Sequence, residues 1–400
     1  MNRQDFPILQ EPVYGRRMVY LDNAATSQKP KAVLDALLYG YTHFNANIHR
    51  GVHHLAQVAT QHHEEARQAV ASFLHARSPR EIVFTKGTTD ALNMLAFSFG
   101  EAFVREGDEI VVSALEHHSN IVPWQMLCER KQAVLRVIPL QDDLTLDLEA
   151  FARLLNGRTR IVSVAHVSNV LGIVNPVQDI IRMAHERGIP VCLDAAQAAP
   201  HLPLNVQALD CDFLALSAHK MYGPTGIGVL YGKEHWLEQL PPAQGGGEMI
   251  EHVSFEKTTY NTLPYKFEAG TPDFIGSYAF AAALAYMQTI GMERIAEHEA
   301  DLTCYAEQQL AALPQVHIYA AGQPKAGVLS FNVGQIHPYD LGMLLDRQGV
   351  GVRTGHHCAE PLITHLGVPG TVRASFGLYN DREDIDLFMA ALRKAVAMLA

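Results

Sequence analysis

Cysteine is scarce. The 400 residues hold five (Cys128, Cys192, Cys211, Cys304 and Cys358), an odd number, widely spaced and with no C-x-x-C pair. That argues against a disulfide framework and against a structural zinc site. Long apolar runs are missing too. The longest stretch, around Ala279–Met287, is alanine-rich and falls well short of the about 20 residues that span a bilayer, so a buried helix is expected. Met1–Gln10 has no basic stretch followed by an apolar block, and no secretory signal is expected; the cytoplasm is the expected compartment. Clustered Lys and Arg are also lacking. With 31 basic against 42 acidic side chains, a formal net charge of −11 and a pI near 6.0, no nucleic-acid partner is expected. Repeats, low-complexity tracts and charge blocks are absent. What is present is ordinary globular composition, 48% hydrophobic with mean hydropathy near zero. The length suits two domains or one large α/β unit.

Short β-branched or apolar runs alternate with longer helical patterns. They are Glu81–Thr85, Asp108–Ser113, Arg160–Ala165, Pro190–Asp194 and Asp212–Leu216. That alternation predicts a mostly parallel sheet covered by helices, with ligands at the carboxyl ends of the strands. After Gly291 the rhythm changes. A long helix over Met292–Leu313, strands over Gly327–Val333 and Thr371–Phe376, and a helix near Tyr339–Arg347 predict a smaller α+β unit. Asn380 is the expected N-cap of a last helix, with Ile385, Phe388, Leu392, Val396 and Leu399 on one face. The division is placed at 18–290 for the large domain and 291–400, with 1–17, for the small one.

Five segments could carry chemistry. Lys220 follows the run Asp212–Leu216 and precedes the glycine-rich Gly223–Gly228. A lysine at a strand's carboxyl end suits Schiff-base chemistry if its pKa is lowered; otherwise it is a surface lysine beside a turn. Asp194 ends the run Val191-Cys192-Leu193, with Gln197 three residues on. It could pair with a protonated pyridine nitrogen or cap a helix. Thr85-Lys86-Gly87-Thr88-Thr89-Asp90 reads as an anion site at a helix start or as a plain capped helix; it is not a Walker A loop. In Glu116-His117-His118-Ser119-Asn120 the adjacent histidines diverge, so a shared metal is excluded and one imidazole could stack on a cofactor ring. Last comes Arg353-Thr354-Gly355-His356-His357-Cys358. A cysteine beside histidines and Arg353 is a candidate nucleophile, against an inert loop thiol. Zinc fails on spacing, since neighbouring side chains do not converge on one tetrahedral ion. No metal site is expected.

Together these segments resemble the class V aminotransferase family of fold-type I pyridoxal-phosphate enzymes, and within it the cysteine desulfurases of the SufS type (group II). The likeness extends to Tyr20–Thr26, Asn47–Gly51, Ile121–Gln125, Ser217–Pro224 and Phe267–Pro272. It implies a mostly parallel seven-stranded sheet sandwiched by helices, with a smaller α+β C-terminal domain. It also implies pyridoxal 5'-phosphate as cofactor, L-cysteine as substrate, and alanine plus a persulfide on Cys358 as products. Lys220 would hold the cofactor and move the Cα proton, Asp194 would meet the pyridine nitrogen, Gln197 the ring hydroxyl, and His117 would stack on the ring. Thr88, Thr89, Ser217 and His219 would hold the phosphate, with Thr271 arriving from the second subunit of a homodimer. Asn169, Arg353 and Arg373 would hold the substrate. The loop ending at Cys358 is more compact than the S-S-G-x-x-C-T-S type of group I, which implies dependence on a sulfur-accepting partner for iron–sulfur cluster assembly. Partners of the zinc-dependent SufU type go with an H-P-H-D stretch; here it reads His337-Pro338-Tyr339-Asp340, which points to a SufE-like acceptor. Selenocysteine lyase or another β-lyase shares every cofactor residue. A non-catalytic scaffold would have no need of both Lys220 and Cys358.

Overall fold

The structure is a computed structural model and describes residues 2–399. Seven strands form the main sheet: β1 (Ile82–Thr85), β2 (Glu109–Ser113), β3 (Val134–Ile138), β4 (Thr159–Ala165), β5 (Val191–Asp194), β6 (Phe213–Ser217) and β7 (Gly228–Gly232). Their order across the sheet is β1-β7-β6-β5-β4-β2-β3. Strands β2 to β6 are parallel to one another, while β7 runs antiparallel to both β6 and β1. The strands read as continuous apolar runs because both faces are covered; every residue of β2, β5 and β6 is buried. Only the edge strand β3 is largely exposed.

All the strands that end in chemistry point their carboxyl ends the same way. β1 and β6 can lie so close to the β7 start only because Gly228 lacks a side chain: a Cβ there would sit 2.5 Å from Gly87 Cα and from the Leu216 oxygen. The apolar Ala279–Met287 stretch lies in the helix Phe274–Ile290, with Ala279, Phe280, Ala283, Leu284 and Met287 in the core. Among the described residues no helix is long and apolar enough to cross a membrane.

A second, antiparallel sheet joins β8 (Val316–Ile318), β9 (Val328–Val333), β11 (Thr371–Ser375) and β10 (Arg353–Gly355), in that order. Leu329, Phe331, Val372 and Ala374 pack on Ile385, Phe388 and Leu392 of the helix Arg382–Leu399 and on Leu302 and Ala306 of Met292–Ala311. Residues from the start of the chain complete this core. Val19–Tyr20 pairs in parallel with Val350–Gly351, and Val19 and Leu21 are buried among the C-terminal side chains.

Two local expectations are corrected. Asp381, not Asn380, caps the last helix: its carboxylate accepts the Asp384 N–H at 2.9 Å. Asn380 instead turns inward, donating to Tyr20 O and accepting from Asn23 and the Gly377 N–H. On that helix the apolar face ends at Val396, and Leu399 is exposed.

Candidate active site

One cavity sits at the carboxyl ends of β1, β2, β4, β5 and β6 and is closed by the second sheet. Thr88, Thr89, His117, Asn169, Asp194, Gln197, Ser217, His219 and Lys220 line it from the main sheet; Arg353, His357, Cys358 and Arg373 line it from the other side. Segments separated by more than a hundred residues therefore meet in one place. Among the sequence-based candidates, Thr271 alone stands apart, exposed beside a separate hollow with Lys86 and Gln244.

Lys220 ends the short turn Ala218–Lys220 directly after β6. The turn is braced from the N-terminal loop, since His219 O accepts the Ser27 N–H at 3.1 Å and Lys29 Nζ at 2.8 Å. Burial lowers the Lys220 amine to about 8, against the opposing pull of Asp194. Asp194 is fully buried at the end of β5, and burial raises its pKa despite the Ala196 N–H, which it accepts at 2.9 Å, and the charge of Lys220. His117 accepts the Ser119 N–H on Nδ1 at 3.0 Å, which places its own proton on Nε2. Burial, with Lys220 adding to it, lowers His117 to about 3, so the ring is neutral at pH 7.

At the end of β1 the backbone of Gly87 has φ 145, a region that L side chains rarely adopt. It lets the helix Thr88–Phe103 start against β6, where the Thr88 N–H and hydroxyl both lie 2.8 Å from Ser217 Oγ. Thr89 Oγ1 meets Ser119 Oγ at 2.8 Å. Hydroxyls gathered at a helix start suit an anion such as a phosphate.

The register Arg353↔Arg373 places two arginines opposite each other on β10 and β11. Like charges so placed repel. The repulsion is met by Asp22, whose Oδ1 lies 3.1 Å from Arg373 Nη2, while Arg373 Nη1 donates to Asn169 O at 2.9 Å. Burial still lowers Arg373 to about 10, with Arg353 contributing.

The cysteine loop requires a correction. His357 does not support a thiolate at Cys358. Its ring is buried and bonds through Nε2 to Thr371 Oγ1 at 2.9 Å; burial and then Arg373 lower it to about 3, so it carries no charge. Both residues line the cavity, but Cys358 is exposed while the His357 ring is buried against Thr371. The cations that share the cavity with Cys358 are Lys220, Arg353 and Arg373.

Several buried polar atoms around the cavity have no partner within the chain: Gln197 Oε1, Asn169 Oδ1 and Arg373 Nε. Buried groups of this kind call for a ligand. A carboxylate, an amine, a neutral imidazole and a hydroxyl cluster at a helix start match the ring nitrogen, aldehyde, ring face and phosphate of pyridoxal 5'-phosphate, so the residues fit that cofactor. Among the described residues, no group of three or more His, Cys, Asp or Glu is placed to hold a metal ion.

Residues that sequence patterns did not single out complete the site. Asp22 and Ser119 act through the contacts above. Glu116 is fully buried, accepts the Ala165 N–H and Asn120 Nδ2, and is pushed up to about 7 by burial. The only sequence signal for these residues is their place beside residues already singled out.

The family model for aminotransferase class-V matches residues 19–388. A cysteine desulfurase of Enterobacter sp. (strain 638) is 51% identical over 393 residues, covering 98% of this chain and 97% of that one. The crystal structure of the Escherichia coli cysteine desulfurase CsdA, in an S-sulfonic acid form, superposes with a TM-score of 0.92 at 39% identity, over 99% of this chain and 98% of that one. A mutant of C-DES with glycine covalently linked to its PLP cofactor gives a TM-score of 0.85 at 25% identity, over 98% and 99% of the two chains. With a family match over nearly its whole length and relatives of about half identical sequence, the chain belongs to the class-V aminotransferase family, on its cysteine desulfurase branch.

Proposed function

We propose that the protein is a pyridoxal-phosphate-dependent cysteine desulfurase that converts L-cysteine to L-alanine and keeps the sulfur as a persulfide on Cys358. The observation that carries this reading is the meeting of Lys220 and Cys358 in one cavity. When bound, the cofactor supplies an electron sink for the pair released as the substrate Cα loses its proton.

The chain's own residues do the rest. Lys220 holds the cofactor and moves the Cα proton through Nζ, an amine whose lowered pKa suits proton transfer near neutral pH. Asp194 would meet the pyridine nitrogen, Gln197 the ring hydroxyl, and neutral His117 the ring face. Thr88, Thr89, Ser217 and His219 hold the phosphate. Arg373, with Arg353 and Asn169, holds the substrate carboxylate. The Cys358 thiolate then attacks the substrate sulfur. A sulfur–sulfur bond forms, the carbon–sulfur bond breaks with its electrons going to Cβ, and protonation of that carbon completes the methyl group of alanine.

In the same reading the chain is a homodimer in which Thr271 completes the partner's phosphate site, which accounts for its distance from its own cavity. Residues 18–290 form the cofactor domain, and 291–400 with 1–17 the domain carrying the cysteine loop. The compact loop fits a group II enzyme that hands sulfur to a SufE-like acceptor for iron–sulfur cluster assembly, and selenocysteine could enter the same path. The test is product analysis. Cofactor-loaded protein incubated with cysteine and a thiol reductant should yield alanine and sulfide in equal amounts. Pyruvate in place of alanine would assign it to β-lyase chemistry instead.

A further inference from the structure

Two consecutive residues of the cysteine loop have left-handed backbone, His357 at φ 52 and Cys358 at φ 55. For residues with a side chain such backbone is strained and persists only where the surroundings hold it. The holding contacts are few and specific. Asn169 Nδ2 donates to His357 O at 2.7 Å, and the His357 ring bonds to Thr371. The Ala359 N–H donates to His356 O at 2.9 Å and closes the turn around both residues, and on the far side of the cysteine two contacts from outside the loop come from one residue. The His118 N–H donates to Cys358 O at 2.7 Å, and His118 Nε2 accepts the Glu360 N–H at 3.0 Å.

The second contact fills a gap that the local sequence leaves open. Glu360 begins the helix Glu360–His365, and the residue before it, Ala359, has no side chain able to cap that start. Helix starts without a side-chain acceptor leave N–H groups unsatisfied. The imidazole of His118, from the turn after β2, supplies that acceptor from another element. His118 thus brackets Cys358 with one bond to its carbonyl and one to the residue two positions on. It ties the loop to the strand end that also carries His117.

We propose that His118 is a positioning residue for persulfide formation, holding Cys358 in its left-handed conformation so that the thiol faces the substrate sulfur. The proposal rests on the reading of Cys358 as the sulfur acceptor. His118 is not among the residues lining the cavity, and its hydrogen bonds beyond its own turn are both to the loop.

The experiment compares wild type, His118→Ala and His118→Gln as cofactor-loaded enzymes. Three quantities are read: the single-turnover rate of persulfide formation on Cys358, the KM for cysteine, and the rate of Cys358 alkylation by iodoacetamide without substrate. Losing one hydrogen bond of ordinary strength should slow persulfide formation roughly 3- to 10-fold in His118→Ala. Alkylation should change in rate as the loop loosens, while KM and the cofactor spectrum stay as in wild type. His118→Gln, whose side-chain oxygen can still accept the Glu360 N–H, should recover most of the loss. Wild-type persulfide and alkylation rates in His118→Ala would overturn the proposal, as would an equal loss in both variants. If wild type itself forms no persulfide on Cys358, the proposed function fails, and the alkylation comparison still decides whether His118 holds the loop.

Discussion

Arg373 Nη2 lies 3.1 Å from Asp22 Oδ1, a contact that ties the last strand of the smaller sheet to the loop following Tyr20. Arg373 stands across from Arg353 in the register of β10 and β11, so Asp22 both offsets their repulsion and fixes where the guanidinium points. Asp22→Asn, which keeps an acceptor but loses the charge, should raise the KM for cysteine by about 3- to 10-fold, the scale of an ordinary hydrogen bond, with a smaller effect on kcat. Steady-state kinetics at several cysteine concentrations would show it. An unchanged KM would mean that the Asn169 carbonyl alone holds Arg373 in place.

Lys220 must be neutral to attach the cofactor. With its amine lowered to about 8 by burial, loading of the apoprotein with pyridoxal phosphate should speed up as pH rises through about 8 and then level off. An ordinary lysine, with a pKa of about 10.4, would keep accelerating well beyond pH 9. Stopped-flow absorbance across pH 6–10 separates the two. Lys220→Ala should bind the cofactor only reversibly, lose the yellow colour on dialysis and show no turnover.

Cys358→Ser should keep the cofactor and still bind cysteine, because the groups assigned to holding them belong to other residues of the cavity lining. Persulfide formation should stop, since a hydroxyl stays protonated where a thiol ionises. Mapping the trapped sulfur by mass spectrometry checks this. Three of the remaining cysteines are buried, and Cys304 is exposed on the helix Met292–Ala311, away from the cavity lining. Sulfur found chiefly on any of those four would disprove the role given to Cys358.

His357 is buried neutral, its pKa lowered from 6.5 to about 3. The unfolded chain therefore binds a proton at this residue between those values while the folded chain does not. Its stabilising contribution is present above about pH 6.5 and is lost as pH falls through that window, at up to about 1.4 kcal/mol per pH unit. His357→Asn, which cannot titrate, should lose less stability than wild type between pH 7 and pH 5. Urea midpoints at the two pH values measure the difference, and equal losses would place the proton uptake elsewhere.

The sequence was most legible where burial on both faces forces uninterrupted apolar runs. The Ile-Val-Val of β2 and the Val-Cys-Leu of β5 are of this kind. It was opaque at β3, an edge strand whose Arg136 faces solvent and pairs with Glu109, so no burial pattern marks it. β7 was hidden for a different reason: its glycine ends read as a loop, yet Gly228 is there for close packing within the sheet. At the site, Lys220 and Asp194 were legible because strand ends concentrate chemistry. His117 and His118 look alike in sequence, and only their hydrogen bonds separate a ring facing the cavity from one gripping the cysteine loop. The same blindness made His357 a false candidate for activating Cys358, since sequence adjacency does not tell which way a side chain turns.

The pairing of Val19–Tyr20 with Val350–Gly351 has a consequence for synthesis on the ribosome. At about 5–20 residues per second, the roughly 330 residues between the two partners take on the order of 20–60 s to appear. Once residue 232 has emerged the main sheet has all of its strands, while Val19 and Leu21 still wait without the side chains that bury them. Arg373 and Cys358 are also still to come. A nascent chain halted before residue 350 would therefore carry Lys220 and Asp194 but neither the thiol nor the paired arginines, and its early apolar segment would be open to chaperones until translation ends.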